Sequence, residues 1–319
     1  MGLGAKNILV TGGTGFIGSH LVEALIAQGS YVIVPYQSLN PYSYFSTSNL
    51  HNKSTLVFAD LKDYRRILDV ISKYEIDLVF HLGAQAIVPT AYINPLGTIE
   101  TNIIGTANVL EASRFCERVK GIVVITSDKV YGKLARASEN NSVGGDHPYE
   151  VSKAAADILS RMYFVTYKLP VVTLRFGNVY GEGDLNFSRI IPAIMESILK
   201  KQQLQIRSNG KFVRDYVYVG DIVEGMILCA KNISKISGEV FNLSSFENLS
   251  VGEVVKSFEA SLNKKVDFRI NNIAVNEIPT QSLNFSKIKK RLGWSPKNNI
   301  GKTSEKIFDW YQQYFNSLI

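Results

Sequence analysis

Cysteine is nearly absent from this 319-residue chain, which has only Cys116 and Cys229. The two lie far apart in apolar stretches, which excludes a disulfide framework and a cysteine-built metal site and suits a reducing, cytoplasmic setting. Long apolar runs are missing too. No stretch approaches the ~20 residues of a membrane span, and Met1 to Lys6 lack the shape of a signal peptide, so no membrane association is expected. The net charge of +7 comes without a matching basic cluster: lysines and arginines are scattered, and the densest group, Lys287 to Arg291, falls on an expected surface helix. That pattern argues against nucleic acid and for a small polyanionic ligand. There is no internal repeat and no low-complexity segment. The whole chain, 45% hydrophobic and 20% charged, has the composition of a soluble globular protein with a sizeable core.

What the chain does have is a glycine-rich turn between an apolar strand and a helix. Asn7 to Val10 read as a buried strand, Thr11 to His20 run TGGTGFIGSH, and Leu21 to Ala27 continue at helical spacing to a stop at Gly29. Strand, glycine turn and helix in that order form a phosphate cradle. Gly12 permits the tight turn, Gly15 lets backbone approach a pyrophosphate, and Gly18 lets helix and strand pack closely. The helix N-terminus offers free N–H groups and partial positive charge to the anion. The spacing, GxxGxxG rather than GxGxxG, points away from the simple dehydrogenases.

Around this turn the first half of the chain alternates strands (7–11, 31–35, 54–59, 77–81, 120–126, 170–175) with helices (16–28, 62–74, 93–117, 149–168). Such alternation implies right-handed crossovers and a doubly wound parallel α/β sheet. Residues 35–50, rich in Tyr, Ser, Asn and Pro, read as a long loop. Beyond Tyr180 the pattern loosens into a helix at 188–200, short strands near 204–206 and 212–217, a helix at 220–231, a strand at 239–243, and helices from Val251 and over about 302–315. The expected division is a dinucleotide-binding domain over 1–179, with 216–245 returning to it, and a smaller mixed α/β substrate domain from 180–215 and 246–319.

Ligands of such folds bind outside the carboxyl ends of the strands. The second strand ends Val34–Pro35–Tyr36–Gln37, without the acid that would hold a ribose 2′-hydroxyl, which leaves NAD against NADP open. The third ends at Asp60 and Leu61, where Asp60 either accepts from an adenine amino group or caps helix 62–74. The fourth runs into Leu82, Gly83, Ala84 and Gln85, small enough for a dinucleotide to lie against the backbone. The fifth runs into Thr126–Ser127–Asp128–Lys129–Val130–Tyr131–Gly132, and Tyr149 and Lys153 follow at i and i+4 on one helix face. An ammonium there stabilises a phenolate and draws the tyrosine toward the range of a general base.

In order, TGGTGFIGSH, HLGAQ, TNIIGT, TSDKVYG, YEVSK, LRFGNVYG and VRDYVYVGD cover nearly the whole chain. This set resembles the extended short-chain dehydrogenases/reductases, the NAD-dependent sugar-nucleotide epimerase/dehydratase family. The resemblance implies a Rossmann-like fold, a recycled NAD or NADP, and a homodimer through helices 93–117 and 149–168. It implies a cofactor site of Gly12, Thr14, Gly15, Phe16, Ile17, Gly18, Asp60, Leu61, Leu82, Gly83, Ala84, Gln85, Asn102, Tyr149, Lys153 and Phe176.

Asp128–Lys129 after Ser127 is similar to the 4,6-dehydratases, and with HLGAQ and GGDHPY most like the CDP-glucose and GDP-mannose types. In that reading Tyr149 takes the sugar 4-OH proton while C4 gives up hydride, Ser127 holds the oxygen, and Lys153 orients the cofactor ribose. Lys129 takes the C5 proton, protonated Asp128 gives one to the departing 6-OH, and hydride returns to C6. Gln85, Ser127, Asn178, Asn186, Arg189 and Arg214 are the expected contacts to a nucleoside-diphosphate hexose, with Arg175 and His147 given no catalytic role. Epimerisation at C4, a 5,6-elimination and a non-catalytic NAD(P)-binding sensor are the alternatives. The loop at 35–50 matches the CDP-glucose enzymes only loosely, which leaves nucleotide and hexose open.

Overall fold

The computed structural model describes residues 2–273 and 278–318. Seven parallel strands form its main sheet: β1 (Asn7–Thr11), β2 (Tyr31–Tyr36), β3 (Thr55–Phe58), β4 (Leu78–His81), β5 (Ile122–Ile125), β6 (Val171–Phe176) and β7 (Val240–Leu243). Their order is β7-β6-β5-β4-β1-β2-β3, so the winding reverses between β1 and β4. That reversal opens a crevice at the carboxyl ends of the strands.

The strands are apolar on both faces because both are covered. Ile8, Val10, Phe80, Val123 and Leu174 face one core, shared with the helices Phe16–Ala27 and Val219–Lys231. Leu9, Val79, Ile122, Val124 and Val171 face the other, shared with Tyr64–Lys73 and Gly105–Phe115. No helix among the described residues is long and apolar enough to cross a membrane.

A second sheet joins Asn248–Ser250, Val213–Tyr218, Thr280–Leu283 and Arg136–Ala137, with Asn178–Tyr180 pairing along Tyr216–Tyr218. Leu204–Ile206 pairs with Phe268–Ile270. Of these strands only 204–206 and 212–217 are expected from sequence; the rest are two to four residues long and too short to show alternation.

Two other expectations need correction. The helix expected over 93–117 is broken at Asn94, whose side chain caps the Gly97 N–H at 2.9 Å, and Pro95 starts a new segment. That segment, Pro95–Ile99, passes through a π-helical turn, Glu100–Ile104, into Gly105–Phe115. The loop expected over 35–50 contains a short helix, Tyr44–Thr47, capped by Ser43 and anchored by fully buried Phe45.

Candidate active site

A cavity of about 820 Å³ opens outside the carboxyl ends of β1, β4, β5 and β6. Its floor is the glycine turn. Gly12 takes φ +69°, and a Cβ there would sit 2.8 Å from the Gly83 amide nitrogen. A Cβ on Gly18 would fall 2.1 Å from the Gly12 carbonyl oxygen, so no other residue fits where helix meets strand. Gly12, Thr14, Gly15, Phe16, Ile17 and Gly18 line the cavity, and the N-terminal turn of helix Phe16–Ala27 opens onto it. Leu82, Ala84 and Phe176 line it as well.

Asp60, Leu61, Gly83, Gln85 and Asn102, expected beside them, are not among the residues that line the cavity. Asp60 Oδ1 accepts from the Lys62 N–H at 2.9 Å, while Asp63 caps helix Tyr64–Lys73, so the capping role expected of Asp60 falls to its neighbour. Leu61 packs where a Gly83 Cβ would stand. The Gln85 side chain folds onto Ile87, donating to its carbonyl at 3.0 Å. Buried Asn102 clamps the Gln85 backbone, accepting from its N–H at 2.7 Å and donating to its carbonyl at 3.0 Å. Asn102 thus shapes the loop after β4 from behind.

The catalytic candidates converge from β5 and helix Pro148–Tyr167. Ser127, Tyr149 and Lys153 all line the cavity. Burial pushes Tyr149 up to about 12, against a hydrogen bond with Ser127 and, to a smaller extent, the charge of Arg189. Burial pushes Lys153 down to about 8, and its Nζ donates to the Ile125 carbonyl at 3.2 Å. Burial dominates both groups, and the Ser127 hydroxyl is the larger influence drawing Tyr149 down.

Asp128 and Lys129 stand behind the wall of the cavity. The Ser127 hydroxyl donates to Asp128 Oδ1 at 2.9 Å. Lys129 Nζ donates to Gln281 Oε1, on the second sheet, rather than facing the cavity as a base at C5 requires. His147 precedes helix Pro148–Tyr167 and pairs with Glu150 at 3.1 Å. Arg175 is buried against Asp157 at 2.6 Å and donates to the Tyr131 hydroxyl, a structural place.

At the other end of the cavity Asn178, Arg189 and Arg214 line its wall. Arg189 pairs with buried Asp184 at 3.1 Å, and Arg214 Nη1 donates to the Val213 carbonyl at 2.8 Å. Asn186 does not line it; its side chain accepts from the Ser188 N–H at 3.2 Å in the turn before helix Ile190–Lys200. Sequence reasoning missed Gln205, Arg207, Ser208 and Phe212, which also line this end. Gln205 lies on a strand of three residues, too short to signal which side chains face a ligand.

The sequence family described as GDP-mannose 4,6 dehydratase matches residues 9–307. The chain belongs to that family. Among similar proteins, a CDP-paratose 2-epimerase of Salmonella typhi is 31% identical, over 95% of this chain and 98% of its own length. A UDP-glucose 4-epimerase of Thermotoga maritima, solved with UDP-glucose, superposes with a TM-score of 0.86 at 28% identity, over 97% of this chain and 99% of that one. DesIV, a dTDP-glucose 4,6-dehydratase of Streptomyces venezuelae solved with NAD and TYD, gives 0.86 at 26% identity, over 96% and 97%. Relatives of this chain thus include both epimerases and dehydratases.

Proposed function

We propose that the chain is a sugar-nucleotide 4,6-dehydratase, converting a nucleoside-diphosphate hexose to its 4-keto-6-deoxy derivative with NAD, or less readily NADP, kept bound. The cradle fits a dinucleotide: Gly12 and Gly18 stand where a Cβ would collide with backbone, beneath an open helix N-terminus. A bound nicotinamide would supply a hydride acceptor at C4 and return the hydride to C6. The chain's own groups handle the protons. Tyr149 takes the 4-OH proton while Ser127 holds that oxygen. The resulting 4-ketone acidifies C5–H: Lys129, once it leaves Gln281, takes that proton, and the C–H electron pair forms the C5–C6 double bond. The C6–O bond breaks with a proton from Asp128, so that water leaves, and the proton held by Lys129 goes back to C5 as C6 receives hydride.

The observation that carries this reading is Asp128, a buried carboxyl joined to the cavity through the Ser127 hydroxyl. Epimerisation at C4 removes and restores one hydroxyl proton and has no use for a second acid; expelling the 6-OH requires one. The place of Lys129 favours a second reading, a 4-epimerase, because its ammonium must leave Gln281 before it can take a C5 proton. Purified protein given CDP-, GDP-, dTDP- or UDP-hexoses without added cofactor is expected to form a base-labile 4-keto product absorbing in the near ultraviolet. Interconversion at C4 with no keto product would replace the dehydratase by the epimerase.

A homodimer belongs to the same proposal. Ile93 (86% exposed), Leu96 and Ile104 are exposed on segments that pack against helix Pro148–Tyr167, whose Val151, Ile158 and Val165 are exposed too, an apolar surface suited to a second copy. The division into a dinucleotide domain and a substrate domain is supported by the second sheet, which lies at the Arg189–Arg214 end of the cavity.

A further inference from the structure

Behind the cavity two buried carboxyl groups meet over Gly177. Asp128 is 3% exposed and Asp215 not at all. Asp128 Oδ2 and Asp215 Oδ1 each lie 3.0 Å from the position a Cβ on Gly177 would take, so they are within about 6 Å of one another, close enough for each to feel the other's charge. Neither oxygen has a hydrogen-bond partner among the described residues. The other oxygen of each is held: Asp128 Oδ1 by the Ser127 hydroxyl at 2.9 Å, and Asp215 Oδ2 by the Ser244 hydroxyl and by the Leu283 N–H at 3.3 Å. Each carboxyl is thus anchored through one oxygen and leaves the other, without a hydrogen-bond partner, beside Gly177.

We propose that Asp128 and Asp215 share one proton, and that Asp215 is the positioning residue that keeps this proton beside the Ser127 hydroxyl. Two bare carboxylates in a buried site repel one another and lack solvation, and a single retained proton relieves both costs. Lys129 is engaged on Gln281 and Arg175 on Asp157. Burial first, and the charge of Asp128 second, push Asp215 up to about 6, against the Ser244 and Leu283 hydrogen bonds. From the adjacent helix Tyr149 stands in the same field, and a charged Asp128 makes its phenol harder to ionise. A proton on the pair therefore leaves one negative charge instead of two beside the general base. Only the use of that proton rests on the dehydratase reading, in which it departs with the C6 oxygen as water.

The test is a carboxyl titration of the whole protein, labelled with carbon-13 at its aspartate carboxyls and followed by NMR, with signals assigned from Asp128→Asn and Asp215→Asn. The pair is expected to lose its proton at least one pH unit above the ordinary aspartate value of ~3.9. Asp128→Asn is expected to lower the Asp215 midpoint, with unchanged circular dichroism, because the charge of Asp128 helps to raise it. If Asp128→Asn does not fold, Asp128→Ser reads the same coupling. Both carboxyls titrating in the ordinary range, or each indifferent to loss of the other, would overturn the proposal. The raised titration needs no substrate. A raised midpoint without a keto product sinks the dehydratase reading and leaves the pair standing; a keto product with ordinary midpoints does the reverse.

Discussion

Tyr149 and Lys153, one helical turn apart, are both shifted by burial toward their neutral forms, Tyr149 to about 12 and Lys153 to about 8. A tyrosine so placed works as a base only if its neighbours stabilise the phenolate, and here the Ser127 hydrogen bond does so more than the charge of Arg189. Tyr149→Phe is expected to cut kcat by about 10²- to 10⁴-fold, the usual worth of a positioned acid–base group, with substrate binding retained. Steady-state kinetics beside equilibrium binding of the sugar nucleotide check this. Lys129→Met separates the two uses of its neighbourhood: loss of water elimination is expected if Lys129 leaves Gln281 to reach C5. Elimination at the full rate would remove Lys129 as the base. Asp215 carries a signal in the sequence as well. It shares one face of its strand with Val213 and Val217, and a charge in an apolar alternation asks for a buried partner.

Among the elements, the end of β4 shows how a strand terminus is tied into the layers around it. His81 is buried, its ring bonded to Thr11 Oγ1 at 2.8 Å and to Thr106 Oγ1 at 2.9 Å, so it links β4 to β1 and to helix Gly105–Phe115. Burial pushes its pKa down to about 3 from 6.5. The unfolded chain then binds a proton below about pH 6.5 that the folded chain refuses until about pH 3, so stability falls as pH falls through that window. Between pH 7 and 4.5 the unfolding free energy is expected to drop about 2–3 kcal/mol more in the wild type than in His81→Gln. Urea titrations at the two pH values measure the difference; equal drops would exclude His81 as the source. The break at Asn94 belongs to this scale too. Pro95 is visible in the sequence, but whether a proline kinks or restarts a helix depends on the cap in front of it, here the Asn94 carboxamide.

For the whole molecule, the proposed dimer puts the apolar face of Ile93, Leu96, Ile158 and Val165 against a second copy. Ile158→Glu with Val165→Glu is expected to give a folded monomer by analytical ultracentrifugation, with unchanged circular dichroism. A dimer that survives both changes would move the interface elsewhere. The main sheet was legible in the sequence because each of its strands is a run of apolar residues set off by glycine or polar turns, a pattern that chain neighbours alone determine. The glycine turn, Ser127, Tyr149 and Lys153 were legible for the same reason, since strand ends and helical spacing place them together. What only the tertiary structure decided lies between segments remote in the chain. Lys129 faces Gln281, and Asp128 meets Asp215, because the strand Val213–Tyr218 is held between Asn248–Ser250 and Thr280–Leu283. Sheet pairing between distant strands sets those distances, and two carboxyl groups become a proton-holding pair only when packing removes both from water and from each other's counterions.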